Sequence, residues 1–162
     1  MKHYLQHGLV LMAGVLGVAG ATGYADQNPA VTHRPNDSRE SILSRFLREA
    51  GTPIAGYADT FIAEADAHHL DWRLLPSLAM IESGGGQKNR RNNLFGWNNG
   101  ASHFASATDA IHHVAEALAE ARPYKGKDLR GKLAAYNPSP DYLRHVMGVM
   151  RRISPVLMPD AL

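Results

Sequence analysis

Residues 71–100 decide the fold, and they read DWRLLPSLAMIESGGGQKNRRNNLFGWNNG. Their first part has apolar residues at helical spacing, which predicts a helix with Asp71 as its N-cap. The apolar face of this helix comprises Leu74, Leu75, Leu78 and Ile81. The helix is expected to end at Glu82 and Ser83, because the glycines at 84–86 follow directly and tolerate positive φ.

Glu82 stands at the end of the apolar helix and is predicted to face a gap left by the glycines. Burial disfavours the charged form of a carboxyl group, so the pKa of Glu82 is expected to be raised. A carboxylic acid that is still protonated near neutral pH can donate a proton to a leaving oxygen. Most glutamates are solvated surface residues instead, but that interpretation leaves the glycines and the next motif unexplained.

The motif after a short polar spacer suits a sugar-binding groove. It consists of Asn92, Asn93, Leu94, Phe95, Gly96 and Trp97. Amide side chains can hydrogen-bond hydroxyl and acetamido groups, and a flat aromatic ring can cover the apolar face of a pyranose. Substrate binding is therefore predicted for this part of the chain, through Ser83, Asn92, Asn93, Phe95 and Trp97.

Two motifs together resemble the bacterial endo-β-N-acetylglucosaminidase family, also described as the mannosyl-glycoprotein endo-β-N-acetylglucosaminidase-like domain. They are Glu-Ser-Gly-x-Gly at residues 82–86 and Asn-Asn-Leu-Phe-Gly at residues 92–96. The resemblance covers about residues 57–153. It implies a lysozyme-like fold and a peptidoglycan hydrolase whose general acid is Glu82.

A second specific match lies further along the chain, at Tyr136, Asn137 and Pro138. Glucosaminidases carry a tyrosine, a polar residue and a proline here, and related lytic transglycosylases carry an Ala-Tyr-Asn like residues 135–137. The resemblance implies that Tyr136 lies across the groove from Glu82 and bonds it or the sugar's acetamido group. Asn137 is predicted to bind substrate. The alternative for Tyr136 is a core tyrosine, and Tyr142 is predicted to be a core residue.

The predicted fold is an all-α domain at residues 37–158, with at most one very short hairpin. About six helices are expected to pack around the central helix that ends at Glu82, and the resemblance makes this domain lysozyme-like. The other helices show apolar residues at helical spacing, and one of them runs from about Ala55 to His69. Helix starts are predicted from capping residues at Asp37, Ser106, Asp128 and Ser139.

Residues 1–25 have the pattern of a signal peptide. A weakly positive start precedes an apolar run at residues 9–19, and small residues allow cleavage after Ala21 or Ala25. The run is short for a membrane span, although an uncleaved anchor is the alternative. Residues 26–36 contain two prolines and predict a linker. We therefore expect a periplasmic or secreted protein with no stable membrane span after cleavage.

The composition argues against several classes of function. The chain has 162 residues and a formal net charge of only +2, so it suits one domain and no nucleic-acid partner. It has no cysteine, which excludes thiolate metal sites and a cysteine nucleophile. The adjacent pairs at residues 68–69 and 112–113 point to different helix faces, and no His-x-x-x-His spacing lies within the predicted domain, so neither a metal site nor a cofactor is predicted.

The predicted function is hydrolysis of β-1,4 glycosidic bonds in peptidoglycan by an exported, monomeric enzyme of the N-acetylglucosaminidase type. After Glu82 the next carboxylate is Asp109, so Glu82 is expected to act as acid and then base without a second carboxylate. The internal nucleophile would be the substrate's acetamido group or 6-hydroxyl. Attack by the 6-hydroxyl would make the protein a lytic transglycosylase with 1,6-anhydro-muramyl products. A non-catalytic glycan-binding or assembly protein is the remaining alternative.

Overall fold

The computed structural model describes residues 37–155, which form six α-helices and no strand. The helices are α1 Ser38–Glu49, α2 Ala58–Ala67, α3 Leu74–Ser83, α4 Ala107–Glu120, α5 Leu129–Tyr136 and α6 Pro140–Ile153. The prediction of an all-α fold is confirmed for this part of the chain. The short hairpin that the sequence allowed is absent there, and residues 84–106 form a loop between α3 and α4.

The predicted signal peptide, residues 1–25, and the predicted linker, residues 26–36, lie outside the described residues, as does the end of the predicted domain after Pro155. No helix within residues 37–155 has the length and apolar character needed to cross a membrane.

The predicted second helix is divided in two. A short 3-10 helix, Pro53–Tyr57, precedes α2 and packs against α1 and α2. Proline at the start of this segment fixes its own φ and lacks an amide proton, which suits the first turn of a helix. Tyr57 has φ −112° and ψ 20°, so the backbone leaves helical geometry between the two elements.

Helix α3 lies at the centre of the structure and contacts α2, α4 and α6. Most of its side chains are buried, namely Leu74, Leu75, Pro76, Ser77, Leu78, Ala79 and Ser83. Met80 and Glu82 are partly buried, and Ile81 is exposed, since 37% of it remains accessible. Its assignment to the buried face was therefore wrong, and an apolar side chain stands at the surface next to Glu82.

The start of α3 differs from the prediction, although Asp71 accepts a backbone N–H as a capping residue does. Its Oδ2 lies 2.6 Å from Nη2 of Arg73, and its Oδ1 accepts the backbone N–H of Arg73. The helix begins at Leu74, two positions later than a cap at Asp71 would place it. Arg73 is only 3% exposed, so the ion pair is a buried one.

Helices α3 and α6 run antiparallel, and polar contacts join them at both ends. At one end, Nη1 of Arg73 donates to the carbonyl oxygen of Ser154 at 2.8 Å. At the other end, the hydroxyl of Tyr142 donates to Oε1 of Glu82 at 2.6 Å. The last turn of α3 is thereby aligned with the first turn of α6.

Three of the predicted capping residues make the expected hydrogen bonds. The side chains of Asp37, Ser106 and Asp128 accept the backbone N–H groups of Arg39, Asp109 and Gly131, respectively. The fourth, Ser139, precedes α6 as predicted, but its side chain makes no capping bond. The helix starts there with Pro140, whose φ suits the first helical position.

Replacing Ser106 by alanine removes the acceptor for the N–H of Asp109, and we expect a loss of about 1 kcal/mol in the free energy of unfolding. The matched control is Ser139→Ala, which removes a serine from the equivalent position of α6 where no capping bond exists. Urea denaturation of both variants would check this. Equal losses in the two variants would contradict the capping assignment.

Candidate functional site

Glu82 lies in the last turn of α3 and is half-buried. Burial raises the pKa of its carboxyl group, and the hydrogen bond from Tyr142 opposes this in part by lowering the pKa. The expected direction of the pKa shift is confirmed. Oε1 is the atom that accepts from Tyr142. Oε2 has no hydrogen-bond partner within residues 37–155 and is the oxygen from which a proton could be transferred.

Gly96 lies directly against the free carboxylate oxygen. A Cβ atom on this residue would stand 3.1 Å from Oε2 of Glu82, closer than side chains normally pack. The φ angle of Gly96 is +59°, a conformation that other residues seldom adopt. The absence of a side chain at position 96 therefore leaves room for the carboxylate.

The glycines at 84–86 serve a different purpose from the predicted one. Gly84 ends α3 in the left-handed conformation, as expected for a helix C-terminus. A Cβ on Gly85, however, would lie 2.6 Å from Cγ2 of Thr52, so this glycine is packed against the start of the 3-10 helix. The prediction that these glycines leave a gap beside Glu82 is therefore wrong. The glycine that lies beside the carboxylate is Gly96.

Tyr136 does not bond Glu82. Its hydroxyl donates to the carbonyl oxygen of Phe95 at 2.5 Å, which ties the end of α5 to the loop. Burial, followed by the nearby charge of Glu82, raises the pKa of Tyr136 well above its ordinary value, so the phenol stays protonated. Its ring stacks on Tyr142 with centroids 5.9 Å apart and planes inclined by 10°.

Tyr142 is the phenol that reaches the carboxylate, although its place in the helical pattern predicts only a core residue. It is 8% exposed and belongs to the buried face of α6 as predicted, yet its hydroxyl ends at Glu82. Burial raises the pKa of Tyr142 strongly, so this hydroxyl is a hydrogen-bond donor over the whole physiological range. A buried tyrosine generally needs a partner for its hydroxyl, and this was the available signal.

Asn93 organises the loop that carries Gly96. Its Nδ2 donates to the carbonyl oxygens of Trp97 at 3.0 Å and Ser102 at 3.2 Å, and its Oδ1 accepts the N–H of Trp97 at 2.8 Å. The residue is 6% exposed. With both amide protons used inside the protein, its side chain is a positioning group for the loop, and direct contact with a sugar is not supported by this placement.

Ser83 and Phe95 are also directed into the protein. The hydroxyl of Ser83 donates to the carbonyl oxygen of Ala79 and accepts the N–H of Gly86. Ser83 is 2% exposed and Phe95 is fully buried. Their side chains shape the turn after α3 and fill the core, so the predicted substrate contacts of these two residues are not supported by their positions either.

Asn92, Trp97 and Asn137 remain partly exposed and are the predicted binding residues that a ligand could touch. Nδ2 of Asn92 donates to the carbonyl oxygens of Phe104 and Ala105. The same residue borders a cavity of about 370 Å³. The lining of this cavity is Pro53, Ile54, Tyr57, Gly86, Asn89, Asn92, Leu94, Ala105, Ser106 and Ala107.

Trp97 continues the aromatic wall formed by Tyr136 and Tyr142. Its ring centroid lies 5.9 Å from that of Tyr136 and 6.2 Å from that of Tyr124. The indole is thus fixed by packing on one side and exposed in part on the other. Such a surface can cover an apolar ligand face without having to be ordered first.

No second carboxyl group influences Glu82 among the described residues. The pKa of Glu82 is shifted by burial and by Tyr142. Asp109, the next carboxylate in sequence, is an exposed residue in the first turn of α4. No group of metal-ligating side chains in residues 37–155 includes Glu82. The site can therefore donate and accept one proton through a single carboxyl group.

No match to the chain was found among protein-family models, curated proteins or solved structures. The family resemblance accordingly depends on the residues of the motifs themselves.

Replacing Gly96 by alanine should displace the Glu82 carboxylate, because the added Cβ would meet Oε2 at 3.1 Å. The matched control is Gly100→Ala, where φ is +80° and nothing lies within 4 Å of the added Cβ. Both changes strain the backbone by about 1–2 kcal/mol. We expect similar losses in melting temperature but a changed Glu82 pKa only in Gly96→Ala, as measured by ¹³C NMR of the glutamate carboxyl groups. An unchanged Glu82 titration in Gly96→Ala would contradict the close contact.

Tyr142→Phe removes the hydrogen bond that lowers the pKa of Glu82, so that pKa should rise further. The same ¹³C titration measures the shift, with Tyr136→Phe as control because its hydroxyl bonds Phe95 instead. A larger increase in the Glu82 pKa in Tyr136→Phe than in Tyr142→Phe would overturn the assignment of the two tyrosines.

Proposed function

We propose that this protein is a glycosidase that cleaves β-1,4 bonds of peptidoglycan, with Glu82 as general acid. The observation that carries the proposal is a half-buried carboxyl group of raised pKa, held through Oε1 by Tyr142 while Oε2 faces Gly96. General acids of this kind are carboxylic acids whose environment keeps them protonated near neutral pH. The motif resemblance supplies the substrate class.

The proposed reaction uses Glu82 twice. Protonated Oε2 donates its proton to the glycosidic oxygen while the bond from that oxygen to C1 breaks. The substrate's own acetamido oxygen attacks C1 and forms a cyclic intermediate. The Glu82 carboxylate then takes a proton from water, whose oxygen attacks C1 and reopens the ring. This sequence needs no carboxylate nucleophile, and it is supported by the finding that no other carboxyl group in residues 37–155 shifts the pKa of Glu82.

The tyrosine pair has a defined part in this mechanism. Tyr142 fixes the Glu82 carboxyl group in one orientation, and its hydrogen bond strengthens as Oε1 becomes more negative after proton transfer. Tyr136 holds the loop at Phe95 and shields Tyr142 by stacking. Both act as positioning residues, and the partly exposed Trp97 and Asn137 are the proposed sugar contacts.

A lytic transglycosylase is the second candidate, and the same lone carboxyl group favours it. In that reaction the 6-hydroxyl of the muramyl residue attacks C1, and Glu82 takes the hydroxyl proton in place of one from water. The product then carries a 1,6-anhydro ring and is lighter than the hydrolytic product by one water molecule. Export to the periplasm or beyond is part of either proposal and follows from the predicted signal peptide.

Glu82→Gln should abolish cleavage of purified peptidoglycan, because the amide keeps the shape of the side chain but has no acidic proton to donate. The expected loss is at least about 10²–10⁴-fold, measured by mass spectrometry of released fragments. The product masses separate hydrolysis from transglycosylation. Asp109→Asn is the matched control and should keep nearly full activity, since Asp109 is exposed at the start of α4.

The same variant predicts a pH-dependent change in stability. The pKa of Glu82 is raised on folding, so its stabilising contribution is present below the ordinary glutamate pKa and is lost as pH rises through the folded value. At pH 7 the melting temperature of Glu82→Gln should therefore be equal to or higher than that of wild type. The difference between the two melting temperatures should decrease as the pH is lowered toward 4. If the Glu82→Gln protein folds and still cleaves peptidoglycan at the wild-type rate, the proposed mechanism is refuted.

A further inference from the structure

A cluster of three side chains at the contact between α2 and α4 has the chemistry of a metal site. Glu64 lies on α2, His68 follows one turn later at the end of that helix, and His112 extends from α4. One ligand atom from each residue lies within 4.8 Å of the other two. This cluster shares no residue with the Glu82 site.

The distances within the cluster match those between ligands of one ion. Nδ1 of His112 lies 3.0 Å from Oε2 of Glu64, and Nε2 of His68 lies 3.6 Å from the same oxygen. Bonds of about 2.0–2.1 Å to a tetrahedral zinc ion place neighbouring ligand atoms about 3.3 Å apart. These two separations lie on either side of this value, and the two imidazole nitrogens lie within 4.8 Å of each other, so rotation of the imidazoles could bring all three ligands to one ion.

We propose that Glu64, His68 and His112 bind one divalent transition-metal ion of the zinc class, with water in the remaining position. Two imidazoles and a carboxylate suit zinc and its neighbours, whereas calcium and magnesium prefer sites built from oxygen alone. The burial of the ligands agrees with this arrangement. The side chains of Glu64 and His68 are 21% and 18% exposed, while that of His112 is 60% exposed and leaves the site open to solvent.

The ion would join two helices that are linked at this point by packing and by one partly exposed contact between His112 and Glu64. It would fix α4 relative to α2, and α4 in turn supports the loop that carries Gly96. The residue after His112 makes this connection, because the ring of His113 lies edge-on to Trp97 at 5.8 Å and contacts Phe104 at 5.4 Å. The bound metal is therefore a structural clamp, and the proposal does not depend on any glycosidase activity.

The test is calorimetric titration of the metal-free full-length chain with zinc chloride, repeated for three variants. Wild-type protein should bind zinc, and His112→Ala and Glu64→Gln should each bind at least about tenfold more weakly, since removing even an outer-shell partner of a metal ligand costs about 10–100-fold. The control is His145→Ala, which replaces an exposed histidine of α6 and should bind as wild type does.

Thermal unfolding provides a second, independent measurement. Saturating zinc should raise the melting temperature of wild type and of His145→Ala but not that of His112→Ala, because only a ligand that prefers the folded state stabilises it. His112 is largely exposed, so its replacement should leave the fold intact without metal. No zinc binding by wild type, or equal binding by wild type and His112→Ala, would overturn the proposal.

Discussion

The antiparallel packing of α3 against α6 is the constraint on which the rest of the structure depends. At one end this packing buries the guanidinium group of Arg73. Asp71 forms an ion pair with the guanidinium, and the carbonyl oxygen of Ser154 accepts a hydrogen bond from it. The bond from Arg73 to Ser154 is the one that crosses between the helices, and a hydrogen bond to a charged group contributes about 1.5–3 kcal/mol, so it helps to specify their relative position. That position brings the hydroxyl of Tyr142 to Glu82 at the other end.

The loop between α3 and α4 forms the third side of the site and is held by side chains instead of by a sheet. Four residues other than glycine adopt positive φ there, Arg91, Asn92, Asn98 and Asn99. Asparagine tolerates this conformation, and its amide group can satisfy backbone groups that lack a ladder partner. Asn92 and Asn93 bond four carbonyl oxygens in this way and so determine where Gly96 meets the carboxylate.

The features that could be predicted from the sequence are local ones. Helical spacing and capping residues such as Ser106 and Asp128 depend on neighbours within one turn, and the structure agrees with them. The partial burial of Glu82 could also be predicted, because a carboxylate at the end of an apolar helix tends to be drawn out of water with that helix. The start of α3 was predicted two positions too early, although Asp71 bonds Arg73 as Asp37 bonds Arg39, so the capping pattern predicts the bond but not the first helical residue.

The features that escaped prediction depend on contacts between distant segments. Spacing placed Tyr142 on the buried face of α6, but it could not show that the hydroxyl ends at a residue 60 positions earlier in the chain. The same applies to the cluster of Glu64, His68 and His112, which contains one pair spaced by four residues and one histidine from another helix. A search for paired histidines on a single helix overlooks a site of this kind.

The separation of Glu82 and Tyr142 along the chain has a consequence for the timing of activity. During synthesis Glu82 emerges well before α6, and at that stage it is an ordinary solvated glutamate with no tyrosine to orient it. The Tyr142 hydrogen bond arises only when the last helix docks. Any reaction that needs a protonated Glu82 is therefore latent in nascent, truncated or unfolded chains, and completion of the fold itself acts as the activating step.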